Sequence, residues 1–129
     1  MAKRIFVVDD EKRIADTLVT ILNNSGYEAL AFYSAESALA LSASVCPELV
    51  ISDVMMPGMT GVQMAVLFKT RYPECQILLF SGQASTANLL DDARKEGYDF
   101  ELLAKPIHPK DLLAKLGRND SHRPEALSN

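Results

Sequence analysis

Three apolar segments of this 129-residue chain run into charge where the hydrophobic stretch stops. Ile5-Phe6-Val7-Val8 meets Asp9-Asp10-Glu11, Leu49-Val50-Ile51-Ser52 meets Asp53, and Leu102-Leu103-Ala104 meets Lys105-Pro106. Adjacent carboxylates such as Asp9 and Asp10 repel each other unless positive charge sits with them. Magnesium, which takes oxygen ligands and pairs with phosphate, would supply it. Asp53 could coordinate metal, act as a base, or serve as a nucleophile that becomes an aspartyl phosphate. Lys105 could pair with a carboxylate or a phosphate oxygen, and the Ser81 hydroxyl could reach the same phosphate. Each residue alone also has an ordinary reading. Asp10 can cap a helix, Asp53 can open a turn into Met56-Pro57-Gly58, Lys105 can be exposed before a turn, and Ser81 can be a loop serine. What lends the set weight is the requirement that one fold place all of these chain positions together.

The elements that could do so are legible in the apolar pattern. Runs of four or five residues rich in β-branched side chains suit strands buried on both faces of a parallel sheet. Strands are predicted at about 4–8, 28–32, 48–52, 76–80 and 100–104. A helix with Ile14, Leu18, Ile21 and Leu22 on one face stops before Gly26, and a second runs from the N-cap Ser34 over 35–44. Thr60 and Gln63 form a capping-box pattern for the third helix, which Pro73 ends. The fourth spans about 86–96 and stops at Gly97. The fifth begins at Pro109, turns Leu112, Leu113 and Leu116 inward, and ends at Gly117. Five alternating β-α units imply an α/β fold: a doubly wound five-stranded parallel sheet with helices on both faces. In such sheets ligands bind beyond the carboxyl ends of the strands, where the charged residues fall.

Composition narrows the classes. The chain is long enough for one domain of ordinary size. At 48% hydrophobic and 23% charged residues it has the make-up of a folded globular protein. A net charge of -4 argues against nucleic-acid binding, which needs a basic face. No apolar run is long enough to span a membrane, and a cytoplasmic location is expected. Cys46 and Cys75 show no metal or redox spacing and are expected to be buried or half-buried thiols. The polar stretch 118–129 lacks an apolar cluster and is expected to be a disordered tail.

Together the motifs resemble the receiver domain of two-component response regulators. The resemblance covers about residues 3–117, so a receiver domain is expected over 1–117. It rests on the acidic pair in Val7-Val8-Asp9-Asp10-Glu11, the block from Asp53 through Met56-Pro57-Gly58 to Gly61, Ser81-Gly82, and Lys105-Pro106. The resemblance implies a flavodoxin-like strand order 2-1-3-4-5 and a signalling switch rather than an enzyme acting on a separate substrate. It implies Asp53 as phosphoacceptor, with Mg2+ bound by Asp10, Asp53 and the Met55 carbonyl and assisted by Asp9. Lys105 and Ser81 would contact the phosphoryl group. A sensor histidine kinase or histidine phosphotransfer protein would be the donor. A downstream protein would bind the face of helix 4, strand 5 and helix 5, and the protein would be a monomer or a weak phosphorylation-dependent dimer.

One feature departs from the family pattern. The position three before the lysine, usually a switch aromatic, is Leu102, and the stretch from Gly97 to Lys105 is one residue longer than usual. Phe100 shares the strand parity of Leu102 and is expected to be a core residue. A haloacid-dehalogenase-like phosphatase would place another Asp two residues after its strand 1 nucleophile, with Thr nearby, and here that position is Glu11, followed by Lys12 and Arg13. A flavin module would need a phosphate-cradling loop where Asp9-Asp10-Glu11 would repel the ligand. A scaffold that works without phosphorylation is the remaining alternative, and the intact acid, serine and lysine set argues against it.

Overall fold

The computed structural model describes residues 3–82, 87–105 and 108–120. Its elements alternate strictly: β1 (Arg4–Val8), α1 (Lys12–Asn24), β2 (Glu28–Phe32), α2 (Ala35–Ser42), β3 (Leu49–Asp53), α3 (Gly61–Arg71), β4 (Gln76–Ser81), α4 (Ala87–Lys95), β5 (Glu101–Ala104) and α5 (Pro109–Asp120). All strand pairs are parallel, in the order β2-β1-β3-β4-β5. This is the doubly wound flavodoxin-like arrangement.

Two layers of helices cover the sheet because alternate strand residues point to opposite faces. On one face Ile5, Val7, Ile51, Leu78 and Phe80 pack with Leu18 and Leu22 of α1 and Leu112 and Leu116 of α5. On the other, Phe6, Val8 and Val50 meet α2 and α3 through Leu39, Met64 and Phe68. Leu79 extends that face toward α4, where Val62, Leu90, Ala93 and Phe100 close a third cluster. β1 and β3 are buried on both faces, which is why their sequences read as unbroken apolar runs.

Several boundaries follow local chemistry. Ser34 caps α2 by accepting a hydrogen bond from the Ser37 N–H at 3.1 Å. Thr60 and Gln63 form both bonds of the capping box at the start of α3. Gly26 and Gly97 take φ values of +96° and +95° just beyond α1 and α4, as their terminating roles require.

The structure departs from expectation in several places, among them β4, which runs on to Ser81, and β5, which starts at Glu101 and leaves Phe100 outside the strand. β3 extends to Asp53, so the acid is part of the strand. α2 ends at Ser42, short of residue 44. α5 continues to Asp120 instead of ending at Gly117, which is not among the glycines with positive φ. A helical glycine costs about 1 kcal/mol relative to alanine, too little to stop a helix anchored by buried leucines. Finally, Cys46 is exposed while Cys75 is buried, and both are free thiols. Burial pushes the Cys75 thiol up to about 12, so it stays protonated and inert. Residues 121–129, where most of the expected tail falls, and the predicted first residue of α4 lie outside the described residues.

Candidate functional site at the carboxyl edge of the sheet

The three charged segment ends converge. Asp9 follows β1, Asp53 closes β3, Ser81 closes β4 and Lys105 follows β5. Each strand is held there by its neighbour. The Asp9 N–H donates to the Phe32 carbonyl at 3.0 Å, the Val54 N–H to the Phe80 carbonyl at 3.1 Å, and the Lys105 N–H to the Ser81 carbonyl at 3.0 Å. Asp9, Asp53 and Lys105 lie two residues beyond Val7, Ile51 and Leu103, so the period of two sends their side chains to the α1 and α5 face.

Lys105 ties the pocket together. Its Nζ donates to Asp53 Oδ2 at 3.1 Å and to Asp9 Oδ2 at 3.3 Å, and stands 3.9 Å from Glu11 Oε1. The ammonium also lies 5.1 Å from the centroid of the Phe80 ring. Asp9 is wholly buried and accepts a second bond from the Glu11 N–H at 2.9 Å. Burial pushes the Asp9 carboxyl above its ordinary value and the Asp53 charge adds to this, against the Glu11 N–H and Lys105. For Lys105, burial opposes the charged form, but the hydrogen bond to Asp53 and the charges of Asp53 and Asp9 outweigh it and hold the pKa above normal.

Asp10 completes the acidic set from the solvent side. One carboxylate oxygen from each of Asp9, Asp10 and Asp53 lies within 4.8 Å of the others. Three carboxylates against one short-range ammonium leave the pocket negative. Every member of the cluster offers a hard oxygen donor, the chemistry that suits Mg2+. Met55 sits on the loop after β3 with its side chain half exposed. Asp10 does not cap α1: Glu11 occupies the N-cap position and makes no side-chain capping bond.

The backbone beneath Asp53 is packed with little tolerance. A Cβ on Gly61 would fall 2.1 Å from the Asp53 carbonyl oxygen, so only glycine lets the first turn of α3 approach this strand end. The Ser52 hydroxyl donates to that same carbonyl at 2.8 Å. The loop between them is pinned by Glu36 of α2, whose Oε2 accepts from the Met59 N–H at 3.3 Å.

All the residues expected to form the site except Met55 have side chains or backbone atoms in this network, and Met55 lies on the adjoining loop. Sequence reading missed Glu11 as a neighbour of Lys105, Glu36 as a loop anchor and Phe80 beneath the ammonium. Their contacts join different strands and helices, so no local motif marks them. Phe100 is a core residue, buried against α4 and stacked on Tyr98 at 5.9 Å between ring centroids. Leu102 is 40% exposed.

The fold and this acidic edge define a class, and sequence comparison confirms it: the chain belongs to the response regulator receiver domain family, whose sequence model matches residues 5–117. It is thus a receiver domain of two-component signalling. Response regulator protein FleR of Pseudomonas aeruginosa is 35% identical over 92% of this chain and 25% of its own length. DNA-binding response regulator MtrA of Mycobacterium tuberculosis is 29% identical over 99% of this chain and 57% of its own length. The chain therefore spans from a quarter to somewhat over half of these curated relatives. Among solved structures, the receiver domain of an HD domain-containing protein from Pseudomonas fluorescens superposes with a TM-score of 0.84 at 29% identity, covering 95% of this chain and 97% of that one. Response regulator TrrA of Thermotoga maritima, solved in complex with Mg2+ and BeF, gives 0.76 at 29% identity, over 90% and 97%. One relative being DNA-binding, the comparisons do not support excluding nucleic acid as a partner of the whole protein. No helix among the described residues is long and apolar enough to cross a membrane.

Proposed function

We propose that Asp53 accepts a phosphoryl group from a phosphohistidine on a sensor histidine kinase or phosphotransfer protein, and that residues 1–117 form the unit that does so. The observation that carries this reading is the position of Asp53: a strand-end carboxylate, nearly buried, with one oxygen on Lys105 and the acids Asp9 and Asp10 alongside. Asp9, Asp10, Asp53 and the Met55 carbonyl would hold Mg2+, which when bound neutralises charge on the transferring group. An Asp53 oxygen attacks phosphorus, the phosphorus–nitrogen bond to the donor imidazole breaks, and an acyl phosphate forms on Asp53. Lys105 exchanges part of its pairing with Asp53 for a phosphoryl oxygen, so the charge it neutralises moves with the group. The Ser81 hydroxyl, at the end of the adjacent strand, donates to the phosphoryl group after transfer.

Downstream, the phosphorylated protein would engage a protein partner through α4, β5 and α5, as a monomer or weak dimer in the cytoplasm. Leu102, a large apolar side chain exposed on β5, supports that face as the contact surface. Intact mass after incubation with acetyl phosphate and Mg2+ tests the chemistry. The wild-type chain should gain one phosphoryl group and Asp53→Asn none. Equal gain by both would reject Asp53 as acceptor.

A further inference from the structure

Lys105 and the acids it pairs with stand on strands that are not neighbours. Asp53 ends β3 and Lys105 follows β5, with β4 between them. Adjacent strands are about 4.8 Å apart, so the lysine side chain must pass over β4 to reach Asp53 and go further to reach Asp9. In register, the β4 residue beside Asp53 is Phe80. Its ring is wholly buried, packs on the α1 and α5 face, and has its centroid 5.1 Å from Nζ.

We infer that Phe80 is a positioning residue for Lys105: its ring is the platform over which the lysine side chain crosses β4 and is aimed at Asp53. The inference rests on Asp53 as phosphoacceptor. A lysine is a point charge on a flexible four-carbon stem, with many rotamers that would leave the pocket. The ring face attracts the ammonium without neutralising it. An acid at this position would compete with Asp53 and the incoming phosphoryl group, while an aliphatic side chain would fill space and exert no pull. The exposed carboxylate of Glu11, 3.9 Å from Nζ, competes with Asp53 and Asp9 for the ammonium. Because the platform is neutral, Lys105 can exchange a carboxylate oxygen for a phosphoryl oxygen without losing its support.

The surroundings suggest the discriminating variants. Phe80 borders a cavity of about 430 Å3 between α1 and α5 that Ile14, Leu18 and Pro109 also line. That space can take a tyrosine hydroxyl, so Phe80→Tyr keeps the ring face, while Phe80→Leu keeps apolar bulk and removes it.

The test joins a spectroscopic and a kinetic arm. In wild-type protein without metal or phosphodonor, the Lys105 Hε protons should be shifted upfield by the ring, and the shift should persist in Phe80→Tyr. With acetyl phosphate and Mg2+, Phe80→Leu should lower the maximal rate of Asp53 phosphorylation about tenfold, the factor that corresponds to about 1.4 kcal/mol. The phosphodonor concentration for half-maximal rate should change little, and Phe80→Tyr should restore the rate. A wild-type rate in folded Phe80→Leu, or a folded Phe80→Tyr as slow as Phe80→Leu, would overturn the inference. Lys105 protons without an upfield shift in the wild-type protein would overturn it with no variant needed. If the wild-type chain takes up no phosphoryl group while the shift is present, it is the proposed function that fails and not the lysine geometry.

Discussion

Replacing Asp10 with asparagine should stabilise the metal-free protein and remove most of its response to Mg2+. Asp10 is exposed, and its carboxylate lies within 4.8 Å of those of Asp9 and Asp53, while Lys105 makes its short contacts with the other two acids. At the dielectric constant of water, two like charges at that separation repel by roughly 0.9 kcal/mol, so two neighbours cost about 1.7 kcal/mol. The single positive charge of Lys105 offsets about half of this, leaving a gain of about 1 kcal/mol for Asp10→Asn. In a domain of this size that raises Tm by about 3–6 °C. Mg2+ should reverse the ranking, because a ligand at a hundred times its Kd stabilises the native state by about 2.7 kcal/mol, and the variant binds it weakly. Thermal melts in EDTA and across a Mg2+ titration read both effects, with Asp92→Asn, an exposed acid on α4, as control. A variant that melts at or below the wild-type temperature in EDTA would refute the shared repulsive pocket. Equal Mg2+ gains in both proteins would remove Asp10 from the ligand set.

Two further outcomes follow from the same geometry. Gly61→Ala would put a Cβ 2.1 Å from a backbone carbonyl, a clash no rotamer relieves, so denaturant melts should show a loss of about 3 kcal/mol, the upper end for overpacking. A loss below about 0.5 kcal/mol, the level of an ordinary surface change, would contradict the close approach of α3 to Asp53. In metal-free protein the folded state holds the Lys105 proton more tightly than the unfolded chain, so this pairing stabilises fully below the ordinary value of 10.5 and is lost as pH rises through the raised one. The wild-type Tm should therefore fall more steeply than that of Lys105→Met as pH rises above 10.5, and parallel curves would reject the pairing.

The parts of this molecule that can be read along the chain are those set by neighbours in sequence. Apolar runs ending in charge marked the strands and the acidic edge, because a strand buried on both faces has few other ways to be written. Thr60 with Gln63, and Gly26 and Gly97, marked helix ends because capping and left-handed backbone act within one turn. Gly117 misled for the converse reason: a glycine ends a helix only when the backbone leaves it, and here packing carries α5 onward. Phe100 and Leu102 share parity, but Phe100 lies one residue before β5 under α4 while Leu102 lies on the strand in solvent, a difference made by the helix above and not by either residue. Phe80 is the deepest case. Along the chain it is one more apolar residue in Leu78-Leu79-Phe80, and nothing nearby distinguishes it from its neighbours. Only the order β3-β4-β5 makes it the residue that Lys105 must cross to reach Asp53. The residues proposed to carry the chemistry sit at strand ends and announce themselves, whereas the one beneath the lysine owes its place there to strand order alone.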